Sequence, residues 1–252
     1  MLNPQSLEPV LDGMDAVIHL VGIISEVGNS TFENVHTRAT QNLVTAAQHA
    51  GVKRFVHMSA LGTRPCAVSR YHQTKWQAEE LVRHGGMDFT IFRPSLIYGP
   101  HDHFVNLFER MSRFSPVRPV LGSGRARFQP VAVEVVAHAF VRALAESKSI
   151  GRTFDLCGPD ELTMSQILDE ILFVTGRRRL KLRIPIALAR VQAAIVEAIF
   201  RGLFGKAPPL NRDQLIMLEE DTLGQGRAAE ELLGLKQAGF REGIGRYLRR
   251  KT

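Results

Sequence analysis

Apolar positions along this chain fall into two alternating rhythms. Asp15-Ala-Val-Ile-His-Leu-Val-Gly22 is a continuous apolar run of strand length, the pattern of a strand covered on both faces. From about Thr31 to Ala50 the period lengthens. Val35, Ala39, Leu43, Val44 and Ala47 share one helical face there, and Gly51 stands just past the end. The alternation then repeats. Lys53 to Ser59 predicts a strand, Ser69 caps a predicted helix that runs to Arg83 and stops at Gly85-Gly86, and Asp88 to Pro94 predicts the next strand. Helices follow around Phe104 to Phe114 and from Val135 to Ser147, then a short strand from Thr153 to Gly158. A brief helix, Pro4 to Gly13, precedes them all. Strands alternating with helices call for right-handed crossovers, so the expected fold class is α/β, a doubly wound parallel sheet. From Glu161 the pattern is helical alone: Met164 to Thr175, Ile186 to Phe204 and Arg212 to Glu220. The expected division is therefore a nucleotide-fold region at 1–160 and a mostly helical cap at 161–252, lying over the strand ends.

Composition narrows the classes. With 252 residues, 44% apolar and 23% charged, the chain has the balance of a soluble globular protein with one good core. Cys66 and Cys157 have neither metal spacing nor a disulfide framework, which fits a reducing, cytoplasmic compartment. Met1 to Asp12 lacks a signal peptide's apolar core, and no apolar run reaches the roughly 18 residues that span a bilayer. The net charge of +7 gathers partly in Gly176 to Arg183 and Arg246 to Lys251. This reads first as solvated surface and next as a membrane-facing patch, which would put the protein at the inner face of the membrane. No nucleic-acid motif accompanies the charge, so nucleic acid is not an expected partner. Ala187 to Phe204 reads as a core-facing helix of the cap, with an interfacial helix as the alternative. His101-Asp-His103 lacks a third ligand at suitable spacing, so no metal is expected.

The candidate chemistry lies in Ser-Arg-Tyr-His-Gln-Thr-Lys. Tyr71 and Lys75 stand at i and i+4 on one face of a helix, after Ser59 at a strand end. A free phenol is a poor proton carrier at neutral pH. An ammonium about 4 Å away in a partly buried cleft favours phenolate by up to roughly 4 kcal/mol, which would bring Tyr71 toward 7. Ser59 would then hold the substrate oxygen.

With Asn34 in Glu-Asn-Val-His-Thr, these residues resemble the Asn-Ser-Tyr-Lys tetrad of the extended and atypical short-chain dehydrogenases/reductases, NAD-dependent epimerase/dehydratase-like proteins with a Rossmann-like fold. The resemblance implies Tyr71 as acid-base residue, Lys75 as its partner and the ribose ligand, Ser59 on the substrate oxygen, and Asn34 holding a water. It further implies that Val21 and Gly22, ending His-Leu-Val-Gly, lie along the cofactor, and that Pro94 and Leu96 in Arg-Pro-Ser-Leu-Ile-Tyr-Gly-Pro contact its nicotinamide end. The cofactor would be NAD or NADP and the substrate a small or sugar-like molecule. Phe128 to Ala137, Cys157 to Thr163 and Pro208 to Leu215 are similar to the branch that contains the nucleotide-binding accessory subunit of respiratory complex I. That branch implies a non-catalytic alternative, attached to a respiratory or quinone-related membrane assembly. Glu134 departs from the family's aspartate.

One expected part is missing from the sequence. No Gly-x-x-Gly-x-x-Gly turn follows a first strand, although the family holds its pyrophosphate there. The expectation is that the front of the domain, roughly 60 residues, lies upstream of Met1. The alternative is a remnant that has lost tight dinucleotide binding. Either way the strand at Asp15 to Gly22 is expected to be an open sheet edge.

Overall fold

A computed structural model describes residues 1–200, 208 and 210–248. In chain order its main elements are α1 (Glu8–Leu11), β1 (Ala16–His19), α2 (Ala39–His49), β2 (Arg54–Met58), α3 (Arg70–Arg83), β3 (Asp88–Pro94), β4 (Ile97–Tyr98), α4 (Val105–Phe114), β5 (Val117–Leu121), β6 (Arg127–Phe128), β7 (Val131–Ala132), α5 (Val133–Ala145) and β8 (Arg152–Leu156). There follow β9 (Leu162–Thr163), α6 (Met164–Val174), β10 (Leu180–Ile184), α7 (Ile186–Ile199), α8 (Arg212–Met217), α9 (Arg227–Leu233) and α10 (Phe240–Leu248). A π-helical turn, Glu33–Arg38, runs directly into α2.

The sheet is parallel in the order β1-β2-β3-β8, with Val17 beside Phe55 and Phe55 beside Phe89. This is the doubly wound, Rossmann-like architecture expected. One face buries Val17, Phe55 and Ile91 under Leu43, Val44 and Ala47 of α2 and Val82 of α3. The other buries Val56, Phe92 and Phe154 under α5 and α9 through Val136, Ala139, Phe140 and Leu233. Because β2 is covered on both sides, its chain can be apolar throughout, and its one arginine has to be satisfied internally. Arg54 donates to the carbonyls of Asp88 and Ala143 and to the hydroxyls of Thr90 and Ser149, tying the sheet to the end of α5. A third cluster joins Tyr98, Val120 and Phe128 to Ile167 and Ile171 of α6 and Phe240 and Ile244 of α10.

Two expectations change. The first strand ends at His19 rather than Gly22, because Leu20 and Val21 lie at the exposed carboxyl edge. The region after Glu161 is not helical alone: β9 pairs with β6, and β10 pairs in parallel with β5, Leu180 beside Val117 and Ile184 beside Leu121. The alternation Leu-Lys-Leu-Arg-Ile carries that strand signal inside what reads as a basic patch. Asp102 of the His-Asp-His stretch accepts from the amides of Gly99 and Val105 and so caps α4. β1 has β2 as its single sheet partner among the described residues. The expected helix end at Phe204 lies outside the described residues. Among the described residues no helix is long and apolar enough to cross a membrane.

Candidate functional site

The site gathers at the carboxyl ends of β1 and β2, where α3 begins. Ser69 caps α3 by accepting from the His72 amide at 3.2 Å. The two amides before it are capped from far along the chain, for Asp213 of α8 accepts from Arg70 N at 2.8 Å and Tyr71 N at 3.0 Å. Asn211 donates to the Ile24 carbonyl and the Ser25 hydroxyl, and Arg64 pairs with Glu220. The segment around α8 thus roofs the loops that leave β1 and β2.

Under that roof, the Lys75 ammonium is almost fully buried and donates to the Met58 carbonyl at 3.0 Å. A Cβ added at Gly22 would come to 3.0 Å from Lys75 Nζ and 3.6 Å from His36 Nε2, so only glycine leaves this gap open. Burial lowers Lys75 to about 8, against the opposing pull of Glu79. Tyr71 lies among aromatic edges, with ring centroids 5.9 Å from Phe32, 5.2 Å from His36 and 5.3 Å from His72. Burial pushes its phenol up to about 12. The expectation that Lys75 draws the phenol toward 7 is therefore overturned. The ammonium is aimed at Met58 and Gly22, and desolvation decides the titration of the phenol.

The other expected residues divide. Ser59 is buried one residue beyond the carbonyl that holds Lys75, and its hydroxyl donates to Thr63 at 3.3 Å. Pro94 ends β3 beside the site and accepts from Leu61 N. Leu96 packs into the cluster around Tyr98, so its side chain is spent on the core. Val21 is exposed beyond the end of β1. Asn34 does not join: its amide donates to the Asn29 carbonyl, beside a shallow hollow with Arg38 and Gln41. The π-helical turn puts His36 inward instead. Its Nδ1 bonds the Thr74 hydroxyl at 2.9 Å, and its Nε2 lies 3.1 Å from the backbone of Ile23.

Two further histidines escape a motif-led reading. His19 and His57, opposite each other on β1 and β2, are buried and share an Nδ1–Nδ1 hydrogen bond of 2.9 Å, one ring donating and the other accepting. Both Nε2 atoms lack a partner among the described residues. Burial first, and the Lys75 charge second, lower His19 and His36 to about 3; burial, then His19 and Lys75, hold His57 well below its ordinary value. Three neutral imidazoles lie around one ammonium. The available signal was a histidine inside each of two apolar runs, Asp15 to Gly22 and Lys53 to Ser59.

Comparison with known proteins now bears on this geometry. Residues 1–114 match a family model described as NAD(P)H-binding. Over 226 residues the chain is 30% identical to the mitochondrial NADH dehydrogenase [ubiquinone] 1 alpha subcomplex subunit 9 of Arabidopsis thaliana, covering 88% of this chain and 56% of that one. These matches agree with the resemblance to the NAD(P)-binding short-chain dehydrogenases/reductases. The ceramide reductase of Caulobacter vibrioides is also 30% identical over 204 residues, covering 78% of this chain and 61% of the relative. The chain spans about half the length of the first curated relatives it matches. The crystal structure of DesIV, a dTDP-glucose 4,6-dehydratase from Streptomyces venezuelae with NAD and TYD bound, superposes with a TM-score of 0.72 at 22% identity, covering 98% of this chain and 76% of that one. That likeness is one of fold.

A buried ammonium beside a gap that only glycine leaves open suits a hydroxyl-bearing group such as a ribose of NAD(P). Gly22 leaves a gap against a buried ammonium and the His36 ring. A glycine-rich pyrophosphate turn is absent from the sequence. An open cavity of about 480 Å³ lies elsewhere, between Tyr98, Glu134 and α10.

Proposed function

We propose that this protein is a nucleotide-holding accessory protein, related to the short-chain dehydrogenases/reductases, of a respiratory, complex I-like membrane assembly. In it NAD(P) is retained for structure at the inner face of the membrane. The carrying observation is the state of the site. Tyr71 stays a neutral phenol among Phe32, His36 and His72, and Lys75 is committed to the Met58 carbonyl and the Gly22 gap. Gly22 and Lys75 would hold the ribose end, and Pro94 would bound the ring. Similarity to the Arabidopsis complex I subunit supports the same reading. The test uses the whole protein. Fluorescence titration with NADH and NADPH is expected to show tight binding that Tyr71→Phe leaves within about twofold. Tyr71-dependent loss of nicotinamide absorbance with added carbonyl compounds would overturn the reading.

A second reading has its own support: Ser59, Tyr71 and Lys75 all lie at the ends of β2 and the start of α3. That set suits an oxidoreductase or epimerase/dehydratase acting on a small, sugar-like or, by likeness to the ceramide reductase, lipid substrate. Bound NAD(P) supplies hydride transfer; the chain's part would be to orient the substrate oxygen at Ser59 and exchange its proton at Tyr71 Oη.

A further inference from the structure

α7 is built with its large side chains outward. It touches the protein through Ala189 and Ala193, packed on Leu215, Leu121, Ile184 and Leu210. Glu197, on the same buried stripe, accepts from the Arg212 amide and guanidinium. On the opposite side Leu188, Val191, Ile195 and Ile199, spaced three, four and four, form one stripe, the first three 59%, 58% and 55% exposed. A helix that only closed a core would bury these and show its alanines. The reading of this helix as core-facing is thereby corrected. β10 repeats the pattern. Leu180, 75% exposed, and Leu182 share the ribbon face that packs beneath α7 at its other end, through Ile184 and Leu121. Apolar exposure on this scale marks an interaction surface.

The surrounding charge selects the occupant. Residues 177–200 carry Arg177, Arg178, Arg179, Lys181, Arg183 and Arg190 against the single acid Glu197, which is buried on Arg212. Arg177 and Arg190 pair with Glu109 and Glu219, whereas Arg178 and Arg183 make no ion pair among the described residues. A basic rim beside a leucine, valine and isoleucine stripe complements anionic headgroups above an acyl layer. A second copy of the chain would set like charge against like.

We propose that α7 and β10 form the face on which this protein docks to an anionic membrane surface. The proposal rests on the accessory reading and deepens it by naming the direct contact. Lipid binding and nucleotide binding are measured separately, so either can fail alone. The experiment sediments the whole protein with phosphatidylcholine vesicles and with vesicles containing about one-third phosphatidylglycerol. Binding is expected on the anionic vesicles only and weakens as salt rises. The pair Val191→Asp and Ile195→Asp is expected to lose at least about tenfold. Arg178→Gln and Arg183→Gln are expected to lose about fivefold each, with circular dichroism and nucleotide affinity unchanged in all variants. Equal binding to neutral vesicles, binding to neither, or indifference to these substitutions overturns the proposal. So does conversion of a dimer to a monomer by the apolar variants with vesicles ignored, which would make the face a self-interface.

Discussion

Lys75 should make the cofactor-free protein less stable than it would be without it. Burial lowers its pKa from 10.5 to about 8. At about 1.4 kcal/mol per pH unit the charged ammonium therefore costs the fold about 3 kcal/mol. The sign follows from proton counting. Below pH 8 both native and unfolded chains hold the proton, and the whole cost is present. Between 8 and 10.5 the unfolded chain holds a proton that the native chain has released, so stability rises with pH across that window. Above 10.5 both are neutral and the cost is gone. Lys75→Met fills the same volume without the charge, so at neutral pH it should melt about 6–12 °C higher than the wild type, at about 2–4 °C per kcal/mol for a chain of this size. The gap should close above pH 10.5. Thermal unfolding followed by circular dichroism at both pH values measures it. A variant that melts lower at neutral pH, or a gap indifferent to pH, would refute the reasoning. The same substitution should abolish nucleotide binding, since a destabilising charge is retained where a ligand uses it.

Other outcomes follow from neighbouring contacts. Glu79 is fully buried and bonds both Arg83 and Arg93. Glu79→Gln should cost about 3 kcal/mol in a denaturant titration, because two guanidinium groups lose their carboxylate. Burial raises Tyr71 and Tyr98 to about 12 and pushes Tyr247 up further with the help of Asp102. Folded protein at pH 10 to 11 should therefore show little tyrosinate absorbance, and unfolding at that pH should release it. Asp213→Ala should cost about 1 kcal/mol as a lost helix cap and weaken nucleotide binding, while Asp213→Asn restores part of both.

What the sequence revealed followed physical periodicity. Asp88 to Pro94 was legible to the residue because Phe89, Ile91 and Phe92 lie between a glycine pair and a proline. The Tyr71 and Lys75 spacing needed only an α-helix to put both on one face. Asn34 failed for a local reason. A π-helical turn changes the angle between successive side chains, so the histidine two residues on faces the site while the asparagine faces Asn29. The titration of Tyr71 was unreadable, because it depends on where the Lys75 amine points and on three rings brought from different elements. α7 misled because helical periodicity reports that a stripe exists and not which stripe meets the protein.

The cap at Asp213 has a consequence for the order of assembly. Two amides in the opening turn of α3 find their acceptor 142 and 143 positions downstream. A ribosome will therefore have released the chain through Asp213 before that turn is complete. A protease nick in the stretch leading to α8 should fray the tyrosine-bearing turn while the strands behind it keep their pairing, and amide exchange at Arg70 and Tyr71 would register the severed tether.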